Sequence, residues 1–329
     1  MRVVIVSAPF EGLSSRQTGT ALARAWSDLG AEVAVVPTAD LVSDATASSF
    51  AQSLADLGGP AAACPSAVAE PNAWSTASSS AAVFLLPSEG DLVIADAWPA
   101  VRWHDGGAGL AHRLGVRGDR PLDAGGRALA GVTSVDLGPA RAALDGRRLV
   151  LATTAEELAK SLTGLRGITS VLGHERHDDP ALMLATDQAL VDWCAALGRP
   201  DLASAPAAGA CGGVGAIVLA LGGEVVTAPQ HLAERAGLAA TIGHADLVVV
   251  GYDKLEFGTK GGDLLPLVTE LAGDAMRPVV VVARTNFISA RELRTMGVEA
   301  GYALAPEGVV PTADEVTESV RGIARTWCW

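Results

Sequence analysis

The stretch GACGGVG at 209–215 places Gly209, Gly212, Gly213 and Gly215 just ahead of an apolar, helix-like run. Glycine lets a backbone approach a ligand closely, and the first N–H groups of the following helix can hold an anion. A tight turn packing a helix against a sheet would use the same residues. The spacing is neither G-x-G-x-x-G nor a P-loop, because no Lys-Ser or Lys-Thr follows. In WHDGGAGLAH (103–112), Asp105 precedes Gly106 and Gly107 at a helix start. Its carboxylate can cap that helix, or touch a metal or a substrate hydroxyl. GYDKLEFGTKGGD (251–263) begins at Gly251 and offers Asp253, Lys254, Glu256 and Lys260 to a phosphate or a metal. An exposed loop of mixed charge is the other reading. GHERHDD (173–179) holds two histidines three apart beside three acids, which invites a metal reading; a charged, solvated loop between a strand and a helix is the favoured one.

The elements that must position these groups alternate. Val3 to Val6 is a short β-branched run, residues 15 to about 29 carry an amphipathic helical pattern ended by Gly30, and AEVAVVP (31–37) is a second strand. Strand, helix and strand within forty residues make a βαβ unit. The rhythm returns beyond residue 205, with strands expected at 224–229, 246–251 and 277–286. Between these ends, the Pro- and Ser-rich residues 58–82 read as a loop or linker, and AVFLLP (82–87) with DLVIADAW (91–98) as a hairpin. The expected class is α/β. A doubly wound, mostly parallel Rossmann-like domain is built from 1–60 and 200–329, and a second α/β domain, 61–199, is inserted in it. The strands at 2–7, 32–37, 246–251 and 278–283 should share one sheet.

Composition narrows the function classes. Half of the residues are hydrophobic by count (49%), enough for a large core, and only 4% are aromatic. A net charge of −13 without any Lys/Arg run argues against nucleic acid and against an anionic membrane surface. Cys64, Cys194, Cys211 and Cys328 form no C-x-x-C pair and no zinc spacing, which fits reduced thiols in the cytoplasm. No leader or membrane-spanning pattern is expected. A homo-oligomer is left open.

Taken in order, the motifs resemble the glycerate kinase family of the bacterial two-domain type. SAPFEGLSS (7–15), with Gly12, stands where the family carries P-D-S-F-K-G-S-L-S, and VPTAD, ending at Asp40, stands before its G-G-E-G-T. DGGAGLAHRLGV resembles the end of G-G-S-A-T-N-D-G-G-A-G, and AGACGGVGAIVLALGG resembles A-G-A-A-G-G-L-G-A-A-L. ADLVVVGYDKLEFGTKGGDLLP follows A-D-L-V-I-T-G-E-G-R-L-D-x-Q-S-x-x-G-K-x-P without a gap over its first fourteen positions. The resemblance implies two α/β domains and phosphorylation of glycerate, or a related small hydroxy acid, by ATP with Mg²⁺. It implies catalytic roles for Asp40, Asp105, Lys254 and Glu256. Gly12, Gly106, Gly107, Gly209, Gly212, Gly213, Gly215 and Gly251 would bind substrate or phosphate. No metal ligand is named.

The departures fall on charged positions. Glu11 replaces a lysine, Ala8 an aspartate, and Leu41, Val42, Ser43 and Asp44 the G-G-E-G segment. TTAEELAKSL (153–162) stands where D-V-D-N-P-L is expected, and Tyr252 and Asp253 replace Glu and Gly. A divergent member with weak activity is expected. A non-catalytic relative binding a metabolite or a partner, and a structural protein without a ligand, remain open.

Overall fold

The structure is a computed structural model and describes residues 1–42, 47–58, 78, 85–88, 90–96 and 103–328. Ser43, Asp44 and nearly all of the expected 58–82 linker lie outside the described residues. The described strands are, in chain order, β1 (Arg2–Ser7), β2 (Glu32–Pro37), β3 (Leu85–Ser88), β4 (Asp91–Ala95), β5 (Arg117–Gly118), β6 (Val135–Asp136), β7 (Arg148–Thr153), β8 (Glu224–Thr227), β9 (Leu247–Leu255), β10 (Val279–Asn286) and β11 (Ala300–Ala303). They fall in two compact units, Met1–Ala62 with Ala228–Trp329, and Ala63–Thr227.

The first unit holds a five-stranded sheet in the order β11-β10-β9-β1-β2, every pairing parallel. The four strands expected to share a sheet do so. Its central strands are continuous apolar runs because both faces are covered, as in parallel α/β sheets generally. Side chains alternate with period two. Val3, Ile5, Leu247, Val249, Val280 and Val282 meet Leu22 and Trp26 of the helix Ser15–Ser27 and Val316 and Val320 of Ala313–Trp327. Val4, Val6, Val248, Val250 and Val281 face the other way, onto Leu264 and Val268 of the helix Leu264–Asp274. Ser14 with Gln17, and Thr312 with Glu315, close capping boxes that start two of these helices sharply.

Gly322 lies inside the helix Ala313–Trp327, and a Cβ there would meet no atom within 4 Å. Gly322→Ala is therefore expected to stabilise the protein by about 0.5–1 kcal/mol, chiefly by lowering the freedom of the unfolded chain. A fall in the urea midpoint would contradict the open packing there.

The second unit carries the sheet β3-β4-β7-β8 and the ribbon β5-β6. β3 and β4 form the expected hairpin, and β7 runs parallel to β4 and to β8. Residues 200–227, expected with the terminal pieces, lie in this unit instead. Val214 and Ile217 of the helix Val214–Ala220 pack with Trp103, Leu149 and Leu151, and a short turn then delivers β8 beside β7, Thr153 opposite Thr227. Burial of that apolar helix holds the segment here; the EVVT run alone suits either sheet. Residues 173–176, expected in a loop, form the end of the helix Ile168–Arg176, with His177 in a left-handed cap.

Candidate functional site

In the first unit the chain leaves β1 toward β2, whereas β9, β10 and β11 build out on the other side. β1 and β9 therefore adjoin at the point where strand order reverses, and open parallel sheets bind ligands at the carboxyl edge of such a point. The edge is drawn tight: the Ala8 N–H donates to the Gly251 carbonyl at 2.9 Å. A Cβ on Gly251 would fall 2.7 Å from Leu22 Cδ1, so this glycine serves close packing. Gly12 turns the loop after β1 with a φ of +80°.

Three charged groups meet at this edge. Arg284, on β10, donates from Nε to Asp253 Oδ1 at 2.7 Å and from Nη2 to Asp253 Oδ2 at 2.8 Å. Its Nη1 donates to the Val309 carbonyl at 3.3 Å. The Glu11 carboxylate lies 3.2 Å from Arg284 Nη2, and the Glu11 N–H donates to Asp253 Oδ1 at 2.9 Å. The Arg284 and Asp253 side chains are 7% and 9% exposed, that of Glu11 60%. The acid that replaces a lysine in the family pattern thus rests on an arginine.

Lys254 and Glu256 stand at the same edge, both half-buried, with Nζ to Oε2 at 3.2 Å. Glu307 lies 3.8 Å from the same ammonium, which sits 5.9 Å from the Phe287 ring centre. Asp40 lies deeper. Fully buried, it accepts from the Val42 N–H at 3.0 Å, the Leu264 N–H at 3.1 Å and the Tyr252 hydroxyl at 3.1 Å. It seats the start of the helix Leu264–Asp274. Burial pushes its carboxyl up to about 6, against the donors it accepts.

That shift has a sign in folding. Between about pH 4 and about pH 6 the native state holds a proton that the unfolded chain has released. Stability should fall as pH rises through this window, by up to roughly 2–3 kcal/mol, and level off above it. Asp40→Asn should lose that part of the slope when urea midpoints are compared at pH 4 and pH 7. An identical slope in both proteins would rule the assignment out.

In the second unit the two remaining glycine turns pack on each other. A Cβ on Gly213 would lie 2.8 Å from the Gly106 backbone, and one on Gly107 would collide with Ile217. Gly209 and Gly215 leave no room for a Cβ beside the carbonyl oxygens of Ser161 and Ala207. Gly212 has φ +63°, and Cys211 beside it takes the same left-handed conformation at +53°. Asp105 is fully buried and accepts from the N–H groups of Ser78, Gly107 and Gly109 at 2.7, 3.0 and 2.9 Å, and from the Ser78 hydroxyl. This is the capping alternative, and burial pushes the carboxyl up. His104 next to it meets Thr169 Oγ1 at 2.8 Å, and burial holds its imidazole down at about 4, hence neutral.

Beyond the carboxyl ends of β4 and β7 lies a cluster that sequence reasoning missed. The Thr153 hydroxyl donates to Asp96, and the Cys211 N–H in the glycine turn donates to Glu157 Oε2 at 3.1 Å. Lys160 pairs with Glu157, and with Glu156 at 3.2 Å. Asp96 and Glu157 are buried, and Lys160 is mostly so. Burial first, and the neighbouring Asp96 second, push the Glu157 carboxyl up. Glu157 and Lys160 fall inside the replaced TTAEELAKSL stretch, which is the signal that could have found them. Arg284 had one too: a lone cation in the apolar run VVVVARTN needs a partner.

Among the described residues no group of three or more His, Cys, Asp or Glu is arranged to hold a metal by itself. No helix among them is long and apolar enough to cross a membrane.

The model of the glycerate kinase family matches residues 102–326. The glycerate kinase of Bacillus cereus is 26% identical over 239 residues, 68% of this chain and 62% of that protein. The glycerate 2-kinase of Escherichia coli K12 is 24% identical over 238 residues, 68% and 61% of the two chains. An uncharacterized Mycobacterium bovis protein is 27% identical over 205 residues; the match covers 61% of this chain and about half, 48%, of that protein's length. A crystal structure from Salmonella typhimurium LT2, provisionally assigned as glycerate kinase 2, superposes with a TM-score of 0.76. It covers 99% of this chain and 98% of its own at 19% identity, a likeness of fold.

Proposed function

The chain belongs to the glycerate kinase family, and from that premise we propose that it is a cytoplasmic phosphotransferase of low activity toward glycerate or a related small hydroxy acid. The observation that carries this reading is the cluster of Asp96, Thr153, Glu157 and Lys160 beside the 209–213 turn. Phosphoryl transfer asks a protein mainly for positioned charge. Lys160, held between Glu156 and Glu157, is placed to offset negative charge on a phosphoryl group. Glu157, its carboxyl pushed up by burial, is placed to hold the proton that an acceptor hydroxyl gives up. The oxygen donors Asp96 and Thr153 fit a hard cation such as Mg²⁺, which takes one or two carboxylates along with phosphate oxygens. ATP with Mg²⁺ would supply the phosphoryl group and neutralise its charge. Lys254 with Glu256 is a second, more exposed pair that a phosphate could engage.

Asp40 and Asp105 enter this reading as positioning residues, because each is fully buried and accepts three or more hydrogen bonds. The test is coupled ATP consumption with glycerate and Mg²⁺, wild type beside Lys160→Met. Slow turnover should fall by about two orders of magnitude in the variant, the size expected for losing one charge-stabilising group. Equal rates would remove Lys160 from the chemistry. Glu11→Lys should not restore a fast enzyme, since Ala8 and the 153–162 replacements also remove polar groups.

One observation favours a second reading, a metabolite-binding relative without turnover. Glu11 gives the β1–β9 edge an acid where the family pattern has a cation. Calorimetric binding of Mg-ATP or glycerate without any turnover would select it.

A further inference from the structure

The structure assigns Arg284 as the recognition group for a ligand's carboxylate, with the Glu11 side chain holding that place as an internal competitor. Arg284 has a fork of five N–H donors. Nε and one arm of Nη2 are committed to Asp253, and Nη1 reaches the Val309 carbonyl. The remaining direction from Nη2 leads to Glu11, and what sits there, at 3.2 Å, is a carboxylate. The contact is asymmetric. The guanidinium is 7% exposed and held by two hydrogen bonds to Asp253 and one to the Val309 carbonyl, whereas the Glu11 side chain is 60% exposed on a loop that turns at Gly12. A fixed, desolvated guanidinium met by a solvated, loop-borne carboxylate can exchange that carboxylate for one arriving from solution.

The location supports the assignment. Glu11, Asp253 and Arg284 surround the reversal in strand order between β1 and β9, where parallel sheets place their ligands. The charges predict the energetics. Arg284 and Asp253 cancel, so Glu11 leaves the trio at −1 and repels an incoming anion. With a neutral side chain at position 11, the same anion meets a neutral pair and a directed N–H. The chemical class is a small organic acid with a free carboxylate, one oxygen of which would take the place on Nη2 that the Glu11 oxygen holds.

This inference stands apart from the phosphotransferase reading, and one experiment separates the two. Calorimetric titrations with glycerate and with lactate would compare wild type, Glu11→Gln and Glu307→Gln. Glu307 is an exposed acid of the same edge that touches Lys254 rather than Arg284, so its variant removes equal charge without opening the arginine. Glu11→Gln should bind both acids at least about tenfold more tightly than wild type, with Glu307→Gln at the wild-type value. Adding Arg284→Lys to Glu11→Gln should abolish the gain, because an ammonium keeps the charge and loses the fork. Equal affinity in wild type and Glu11→Gln, including no binding by either, overturns the assignment. A matching gain in Glu307→Gln does so too, since it would mark a general field effect. A gain confined to Glu11→Gln without any ATP turnover upholds the arginine site and removes the kinase reading instead.

Discussion

Arg284→Met is expected to cost about 3–5 kcal/mol of folding stability, the usual penalty for breaking one side of a buried ion pair. The Asp253 carboxylate is 9% exposed and takes two charge-assisted hydrogen bonds from the guanidinium at 2.7 and 2.8 Å. Methionine has similar length and no charge, so packing survives while Asp253 keeps only the Glu11 N–H among the donors described above. Most of the loss is the cost of an uncompensated buried charge. Removing that charge as well, in Arg284→Met with Asp253→Leu, should therefore recover much of the stability. Urea unfolding of the two single variants, the double variant and wild type gives the coupling directly. A loss below 1 kcal/mol in Arg284→Met would mean that water already solvates the Asp253 carboxylate.

Gly215→Ala should cost about 1–3 kcal/mol through overpacking, although it adds a single methyl group inside a helix. Helix propensity alone predicts a gain of roughly 1 kcal/mol for the same change, so the sign decides between local preference and tertiary contact. The added Cβ would collide with the Ala207 carbonyl oxygen, a backbone atom that cannot rotate away. Ala207 already has φ +63° and Cys211 +53°, so the turn has little further conformation to give. Trp193 and Trp103 are buried in this unit and donate their indole N–H groups to Gly106 and Cys211 carbonyls. Denaturant unfolding followed by tryptophan fluorescence measures the change, and Gly322→Ala is the matched control in open space. A stabilised Gly215→Ala would show that the turn can shift, and with it the Cys211 N–H that holds Glu157.

Much of the architecture was written in local patterns. The runs VVIV, LVVV and VVVV carry two-faced burial on their own, and period-two alternation sends their side chains to opposite faces whatever their neighbours. Ser14 with Gln17 starts a helix through atoms three residues apart. Family resemblance located the turns that need glycine, because a missing Cβ is a local requirement even when its cause is distant. The sequence by itself therefore determined an α/β fold, its parallel strands and the positions of its tight turns.

Only the tertiary structure decided which partners the charged residues meet. Asp40 and Asp105 have the residue type of catalysts, yet backbone donors from Leu264 and from Ser78 claim them. Glu11 meets Arg284, and Asp253 meets the same arginine, only because β1, β9 and β10 lie side by side in one sheet. The assignment of 200–227 to the second unit likewise followed from where the helix Val214–Ala220 could bury its apolar face. The reason is physical. Periodicity and capping act over two to four residues and can be read along the chain. Ion pairing acts through space over a few ångströms, so its partners are set by strand order and register, which no short stretch of sequence contains.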